Sequence, residues 1–198
     1  MAKALLFYFS GTGSTARCAS LLAKHLSERG YESELYEMSL PLKPVPDLSS
    51  YDLLGFGYPI HAFNVPLTFL NFVRKNIPNG NKPFFIFKVS GEPYRLNDSS
   101  SYKLYRLLKR KGYRFVMEKH FLMPYNIIFR YPDAMAKQMA LYLDALTQYL
   151  ALRLSKNEID KPHYPLPKRL LSVLLRIEWL APRSEEHTSE LQSLSRIS

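Results

Sequence analysis

Short runs of consecutive apolar residues alternate along the chain with longer segments in which apolar residues recur every three or four positions. Runs of the first kind are typical of strands buried on both faces of a parallel sheet, and segments of the second kind are typical of amphipathic helices. We predict strands at residues 3–9, 31–38, 51–58, 84–89 and 114–122, and helices at 14–29, 66–76, 100–111 and 132–155. This alternation predicts an α/β three-layer sandwich with a five-stranded parallel sheet, and right-handed crossovers favour the strand order 2-1-3-4-5.

A hydroxyl-rich glycine loop, Ser10–Thr15, lies between the first predicted strand and the first predicted helix. Gly11 and Gly13 allow the backbone to turn so that successive N–H groups face one point. The N-terminus of the helix adds its partial positive charge at that point. Hydroxyl side chains complete the loop at Ser10, Thr12, Ser14 and Thr15. The loop therefore predicts a site for a terminal phosphate monoester.

Three kinds of phosphate-binding loop compete for this segment. A P-loop for ATP or GTP needs a lysine after its last glycine, and none follows Gly13. A dinucleotide-binding loop tolerates an alanine at its third glycine position, here Ala16, and its acidic residue at the end of strand two would be Glu34 or Glu37. That fold has six strands, however, and the sequence pattern lacks a sixth. The hydroxyl density favours a loop for flavin mononucleotide (FMN). A tight turn with no ligand is the simplest alternative, and it gives the four hydroxyl groups no purpose.

Residues 8–15, Tyr-Phe-Ser-Gly-Thr-Gly-Ser-Thr, resemble the phosphate-binding motif of flavodoxins, especially that of flavodoxin–ferredoxin fusion proteins of anaerobic bacteria. Residues 57–63 and 90–93 lie where that family has its second and third flavin loops, and residues 123–126 resemble its segment after strand five. The resemblance covers residues 3–155. It implies a flavodoxin-like fold that binds FMN and transfers electrons.

Ligands of open α/β sheets bind where the strand order reverses, at the carboxyl ends of strands one, three and four in this order. All three loops fall there. We therefore expect flavin contacts from the second loop and from the third loop. The candidates are Tyr58, Pro59, Ile60, His61, Ala62, Phe63 and Asn64 in the second loop, and Ser90, Gly91, Glu92 and Tyr94 in the third.

Individual roles follow from the side chains. An aromatic ring, Phe63 or Tyr58, is expected to stack on the flavin. His61 either hydrogen-bonds the flavin or is an ordinary exposed loop histidine. Ser90 and its neighbour Gly91 are expected to offer backbone N–H and C=O groups to the pyrimidine edge, flanked by Glu92 and Tyr94; simple surface packing is an equal alternative for Tyr94.

One departure from the family lies in the second loop. By resemblance, a glycine there lets a peptide group turn toward flavin N5, whereas this chain has Ala62 and Phe63. By resemblance, that peptide turn stabilises the neutral semiquinone of the flavin, so this departure bears on how strongly the semiquinone is favoured.

No serine–histidine–aspartate pattern and no metal-ligand cluster emerges from the sequence, so we predict a redox carrier without catalytic residues and without a metal. The single cysteine, Cys18, excludes an iron–sulfur cluster within this chain and is interpreted as a small buried residue. A flavodoxin-type oxidoreductase acting on a quinone or protoporphyrinogen is the alternative, and a scaffold without cofactor is a third reading.

The formal net charge is +10, spread over helix faces such as Lys109–Lys111. No zinc spacing or RNA-binding signature accompanies it, so we expect no nucleic acid. A basic surface suits an acidic redox partner such as a ferredoxin. No secretory signal precedes the first strand and no apolar run reaches the roughly 18 residues of a membrane span. We expect a cytoplasmic protein.

The C-terminal region differs from the rest in composition. We predict a flavin-binding domain at residues 1–155 and a linker with a basic amphipathic helix at 156–182. The helix itself, 166–181, either packs on protein or rests on a membrane surface. Residues 183–193 match the translation of a widely used sequencing-adapter oligonucleotide, so 183–198 is predicted to be non-native. In the fusion family a ferredoxin domain follows this region, and we expect it to be missing here.

Overall fold

The structure, a computed structural model, describes residues 1–91, 95–123 and 132–166. The predicted architecture is confirmed: a five-stranded sheet has the order β2-β1-β3-β4-β5, and every neighbouring pair is parallel. The strands are β1 (Ala2–Tyr8), β2 (Tyr31–Glu37), β3 (Leu53–Pro59), β4 (Pro83–Ser90) and β5 (Arg114–Leu122). The helices are α1 (Ser14–Ser27), α2 (Leu67–Asn76), α3 (Tyr102–Arg110) and α4 (Asp133–Ser155).

The helices form two layers around the sheet. α1 and α4 cover one face, and α2 and α3 cover the other. Along β4 the side chains alternate between the two cores: Phe84 and Ile86 face α2 and α3, while Phe85 and Phe87 face α1 and α4. Because both faces are buried, the central strands need apolar residues at consecutive positions, which explains the continuous runs in the sequence.

Two glycines in β3 make room for the aromatic residues of β4. A Cβ atom at Gly57 would lie 2.1 Å from ring atoms of Phe87, and one at Gly55 would lie 2.7 Å from Cζ of Phe85. The rings therefore occupy the space that side chains would take on β3. This packing fixes the relation between β3 and β4, whose carboxyl ends carry the second and third loops.

The chain after α4 runs along the outer edge of β5, and we call residues 157–166 the strap. The N–H of Asp160 donates to the carbonyl of Val116 at 2.8 Å. Arg153, in α4, donates to both carboxylate oxygens of Asp160, at 2.7 and 3.0 Å, and to Glu158 at 2.6 Å. The strap thus covers an edge strand that would otherwise expose unpaired backbone groups.

The strap ends on the α3 side of the sheet. The ring of Tyr164 packs against Tyr102 and Tyr105, with centroids 5.5 and 5.2 Å away. The predicted helix at 166–181, apart from Leu166, and the predicted non-native tail at 183–198 lie outside the described residues. In the described part of the chain, no helix combines the length and the apolarity that crossing a membrane would require.

Candidate functional site

The three loops leave the sheet side by side. The N–H of Phe9, the first residue after β1, donates to the carbonyl of Gly57 in β3 at 3.0 Å. The N–H of Ile60, just after β3, donates to the carbonyl of Val89 in β4 at 2.8 Å. The loops that follow β1, β3 and β4 therefore converge at one edge, where the order of the strands reverses.

The first loop is shaped by Gly13 and Ser10. Gly13 has a φ of +87°, in the left-handed region that favours glycine. The Oγ of Ser10 accepts the N–H groups of Gly13 at 3.1 Å and of Ala16 at 3.2 Å. The hydroxyl of Ser10 therefore holds the loop closed as an acceptor, while its own proton stays available to a ligand.

Donor groups of the same loop are left over. Within the residues that the structure describes, the N–H groups of Gly11, Thr12, Ser14 and Thr15 have no acceptor. The Oγ1 of Thr15 is buried and likewise has no partner there. No heavy atom lies within 4 Å of the position that a Cβ would take on Gly11 or Gly13, so the space over the loop is open. Unpaired donors around an open space fit an anion such as a phosphate.

The second loop contains a tight turn. The N–H of His61 donates to the carbonyl of Asn64 at 3.0 Å, and the N–H of Asn64 returns to the carbonyl of His61 at 2.8 Å. Both central residues have positive φ, 43° at Ala62 and 61° at Phe63. This is the backbone pattern of a type I′ turn, which usually contains asparagine and glycine. The amide of the buried Asn64 donates to the carbonyl of Ala62 at 2.8 Å and braces the turn.

Strain accompanies that turn, because a non-glycine residue in the left-handed region costs about 1–2 kcal/mol. The strained pair, Ala62 and Phe63, coincides with the departure from the flavodoxin pattern noted in the sequence. Strained backbone in a loop tends to persist at functional sites, where the surrounding structure maintains it.

The structure separates the two aromatic candidates of the second loop. The ring of Tyr58 is completely buried against Phe69, with centroids 6.1 Å apart, and its hydroxyl is 3.2 Å from Oγ of Ser100. Burial raises the pKa of Tyr58 far above its usual value, so the hydroxyl remains protonated. Tyr58 therefore cannot stack on a ligand in this conformation. Phe63, half-buried at the turn, can.

A ring that was not among the candidates also borders the loops. Phe9 lies edge-on to His61, with centroids 6.4 Å apart, and joins the first loop to the second. Phe9 directly precedes the hydroxyl-rich loop, and this position was its only signal in the sequence.

The third loop begins with a well-anchored serine. The carbonyl of Ser90 accepts the N–H of Met123 at 2.9 Å, and its Oγ lies 2.7 Å from Nε2 of His120. Burial, followed by the charge of Lys88, lowers the pKa of His120 to about 4, so the imidazole is neutral at pH 7. The Oγ of Ser90 also accepts from Nδ2 of Asn97 at 3.3 Å. Its side chain is thus an anchor for the loop.

Of the remaining third-loop candidates, one lies within the described residues and two lie outside them. Gly91 is half-buried at the start of the loop. Glu92 and Tyr94 lie outside the described residues, as does the segment 124–131 after β5. Groups of histidine, cysteine, aspartate and glutamate that could hold a metal ion are absent from the described residues.

The basic run at the end of α3 lies away from the three loops. Its last residue, Lys111, accepts the N–H of Gly80 with its carbonyl and donates from Nζ to the carbonyl of Ile77. These contacts are at the amino edge of the sheet, roughly 25 Å from the carboxyl edge at about 3.3 Å per residue of β4. The run therefore does not border the loops.

Comparison with known proteins gives the class of this protein. A family model described as a flavodoxin domain matches residues 5–119, more than half of the chain. The chain therefore belongs to the flavodoxin domain family. No curated protein matches the chain.

Solved structures of similar fold are distant in sequence. Oxidised flavodoxin 2 from Bacillus cereus is 18% identical with a TM-score of 0.57, covering 78% of this chain and 99% of that chain. A flavodoxin from the domain Archaea is 12% identical with a TM-score of 0.53, covering 77% and 98%. Rubredoxin oxygen:oxidoreductase from Desulfovibrio gigas is 19% identical with a TM-score of 0.50; the match covers 78% of this chain but 36% of that protein. At these identities, the likeness shows the fold.

Proposed function

We propose that this chain is an FMN-binding electron-transfer domain. The observation that carries the proposal is the first loop, at the strand-order reversal. Within the described residues the N–H groups of Gly11, Thr12, Ser14 and Thr15 have no acceptor, and the space beside Gly11 and Gly13 is open. A phosphate monoester needs several donors converging on one point, and this loop offers backbone donors, hydroxyls and a helix N-terminus without a lysine. Membership of the flavodoxin domain family supports the same reading.

The three loops bind different parts of FMN. Ser10–Thr15 binds the phosphate, with the buried hydroxyl of Thr15 as one donor. The second loop, Tyr58–Asn64, and the third loop, from Ser90 and Gly91 toward Glu92 and Tyr94, hold the ring system. Within the second loop, Phe63 stacks on the ring and His61 meets its edge, while Pro59, Ile60, Ala62 and Asn64 shape the turn.

FMN, when bound, supplies reversible one- and two-electron exchange. The protein's own residues bind and orient it and exclude water from one face of the ring.

We propose an acidic iron–sulfur protein, of the ferredoxin kind, as the electron partner. The net charge of +10 attracts such a partner at long range. Because the basic run of α3 lies at the opposite edge from the loops, salt should slow the encounter without abolishing electron transfer in the complex. Stopped-flow reduction of the FMN-loaded protein at increasing ionic strength measures this.

We further propose that the natural gene encodes a ferredoxin-type domain after about residue 182. The support is the adapter-like sequence of residues 183–193 together with the resemblance to fusion proteins. Sequencing the genomic locus past this point tests the idea. Spaced cysteine codons downstream are expected, and an open reading frame without them would contradict it.

Reconstitution tests the proposed function. Purified protein incubated with FMN and then desalted should retain a yellow colour with the absorbance bands of bound flavin. Thr12→Glu, which places a negative charge at the phosphate, should weaken FMN binding at least about tenfold, by roughly 1.4 kcal/mol. Ser20→Glu is the matched control, since it adds the same charge on the exposed face of α1, away from the loop. Colourless protein after reconstitution, or equal effects of the two variants, would refute the proposal.

A further inference from the structure

A lysine is buried in the core beneath the second and third loops. Lys88, in β4, is 2% exposed. Its Nζ donates to the carbonyls of Asn97 at 2.9 Å and Asp98 at 2.8 Å, to Oγ of Ser101 at 3.2 Å and to Oε1 of Glu118 at 3.1 Å. An ammonium group taken out of water is costly unless it is fully paired, so its surroundings are held in a defined arrangement.

Three of these four partners of Lys88, in Asn97, Asp98 and Ser101, belong to the segment at the far end of the third loop. The loop leaves β4 at Ser90, two residues after the lysine, and the described chain resumes in the 3₁₀ turn Arg95–Ser99. Nδ2 of Asn97 also donates to Oγ of Ser90 at 3.3 Å. Lys88 and Asn97 therefore tie the two ends of the third loop together at its base.

The same segment supports the second loop. The carbonyl of Ser100 accepts the N–H of Val65 at 3.2 Å, and its Oγ lies 3.2 Å from the hydroxyl of Tyr58. Residues 97–101 thus contact both loops that are proposed to hold the ring system, and a shift of this segment would be felt by both.

Tyr164, in the strap, is hydrogen-bonded to the same group of residues. Its hydroxyl donates to Oε2 of Glu118 at 2.8 Å, and Oγ of Ser101 donates to the same oxygen at 2.5 Å. Burial, followed by the charge of Glu118, raises the pKa of Tyr164 far above its usual value, which keeps the hydroxyl a donor. The carboxylate of Glu118 thus accepts a hydrogen bond from the strap through Oε2 and one from Lys88 through Oε1. We call Tyr164, Glu118, Ser101 and Lys88 the buried bridge.

We propose that Tyr164 is a positioning residue for the FMN site: through the buried bridge, the strap fixes residues 97–101, on which the second and third loops rest. The strap lies beyond residues 5–119, the part matched by the flavodoxin domain model. The role in FMN binding rests on the proposed function, whereas the contacts of the buried bridge do not depend on it.

Hydrogen exchange of the protein without FMN tests the geometry. Tyr164→Phe removes one hydroxyl and keeps the ring between Tyr102 and Tyr105. Amides of residues 97–101 should exchange about tenfold faster in this variant, while those of β1 and α1 stay unchanged. The control is Tyr142→Phe, which removes the same group from a tyrosine of α4 that is 56% exposed. Unchanged exchange at 97–101, or faster exchange throughout the sheet, would overturn the proposal.

FMN titration then tests the consequence. Tyr164→Phe should weaken FMN binding about fivefold and alter the visible circular dichroism of the bound flavin, whereas Tyr142→Phe should do neither. Glu118→Gln keeps an acceptor but removes the charge opposite Lys88, and it should have the larger effect. If the unaltered protein binds no FMN, the proposed function fails, and the exchange experiment still decides the role of the bridge. If it binds FMN and Tyr164→Phe leaves both affinity and dichroism unchanged, the positioning role fails alone.

Discussion

Replacing Gly57 with alanine tests the packing that brings β3 and β4 together beneath the site. The added Cβ would lie 2.1 Å from two ring atoms of Phe87, whereas ordinary contacts begin at about 3.4 Å. The ring would have to move by about 1.3 Å, the difference between these two distances. Phe87 is completely buried, and its neighbour Phe85 lies 6.0 Å away between centroids, so little room exists for the movement.

Overpacking of a buried core typically costs about 1–3 kcal/mol, and a clash of this size on a buried ring belongs at the upper end. For a chain of this length, 1 kcal/mol lowers the melting temperature by about 2–4 °C, so Gly57→Ala should lower it by about 6–12 °C. Thermal and urea unfolding of the protein without ligand, followed by far-ultraviolet circular dichroism, measures the change.

Two further glycines make the experiment graded. Gly55→Ala meets Phe85 at 2.7 Å and should have an intermediate effect, and Gly11→Ala meets no heavy atom within 4 Å and should have almost none. Equal destabilisation by the three variants, or a loss of less than 2 °C for Gly57→Ala (below the roughly 1 kcal/mol minimum), would refute the reasoning.

Three other predictions concern pH, the first loop and the α1–α4 contact. The pKa of His120 is lowered to about 4 in the folded protein, so the unfolded chain binds the extra proton first as the pH falls. The free energy of unfolding should therefore fall by about 2–3 kcal/mol as pH drops from 6.5 to 4. The variant His120→Gln should flatten that part of a stability–pH curve. Gly13→Ala, at a φ of +87°, should lower stability by about 1–2 kcal/mol in urea unfolding and also weaken FMN binding. His25 is buried, and its ring nitrogens lie 2.9 Å from Glu28 and 3.1 Å from Asp144. His25→Leu should lower the free energy of unfolding by about 1 kcal/mol, and Asp144→Asn should lower it less. No loss of stability in His25→Leu would contradict the assigned contact.

Most of the fold could be predicted from the sequence because its signals are local. A parallel strand buried on both faces requires consecutive apolar residues, as in Phe84–Phe87, and glycine or proline stands close to most element boundaries. The first loop was equally accessible, since the turn, the unpaired N–H groups and the helix N-terminus all follow from Ser10–Thr15.

The rest of the site depends on contacts between distant residues. Tyr58 was a stacking candidate because it begins the second loop. A strand buried on both faces does not reveal which core a side chain enters, and the ring of Tyr58 enters the α2–α3 core. Lys88 gave a sequence signal as a lysine inside an apolar run. Its partners could not be inferred, because Glu118 and Tyr164 reach it only through the register of β4 with β5 and the path of the strap.

The central claim is that Ser10–Thr15 binds the phosphate of FMN, and comparing FMN with riboflavin tests it most directly. The two flavins share the ring system and differ in the phosphate alone. Fluorescence titration of the protein should give at least about hundredfold tighter binding of FMN, equivalent to roughly 2.7 kcal/mol, and Thr12→Glu should remove most of that difference. Equal affinity for the two flavins, or a preference for riboflavin, would contradict the account.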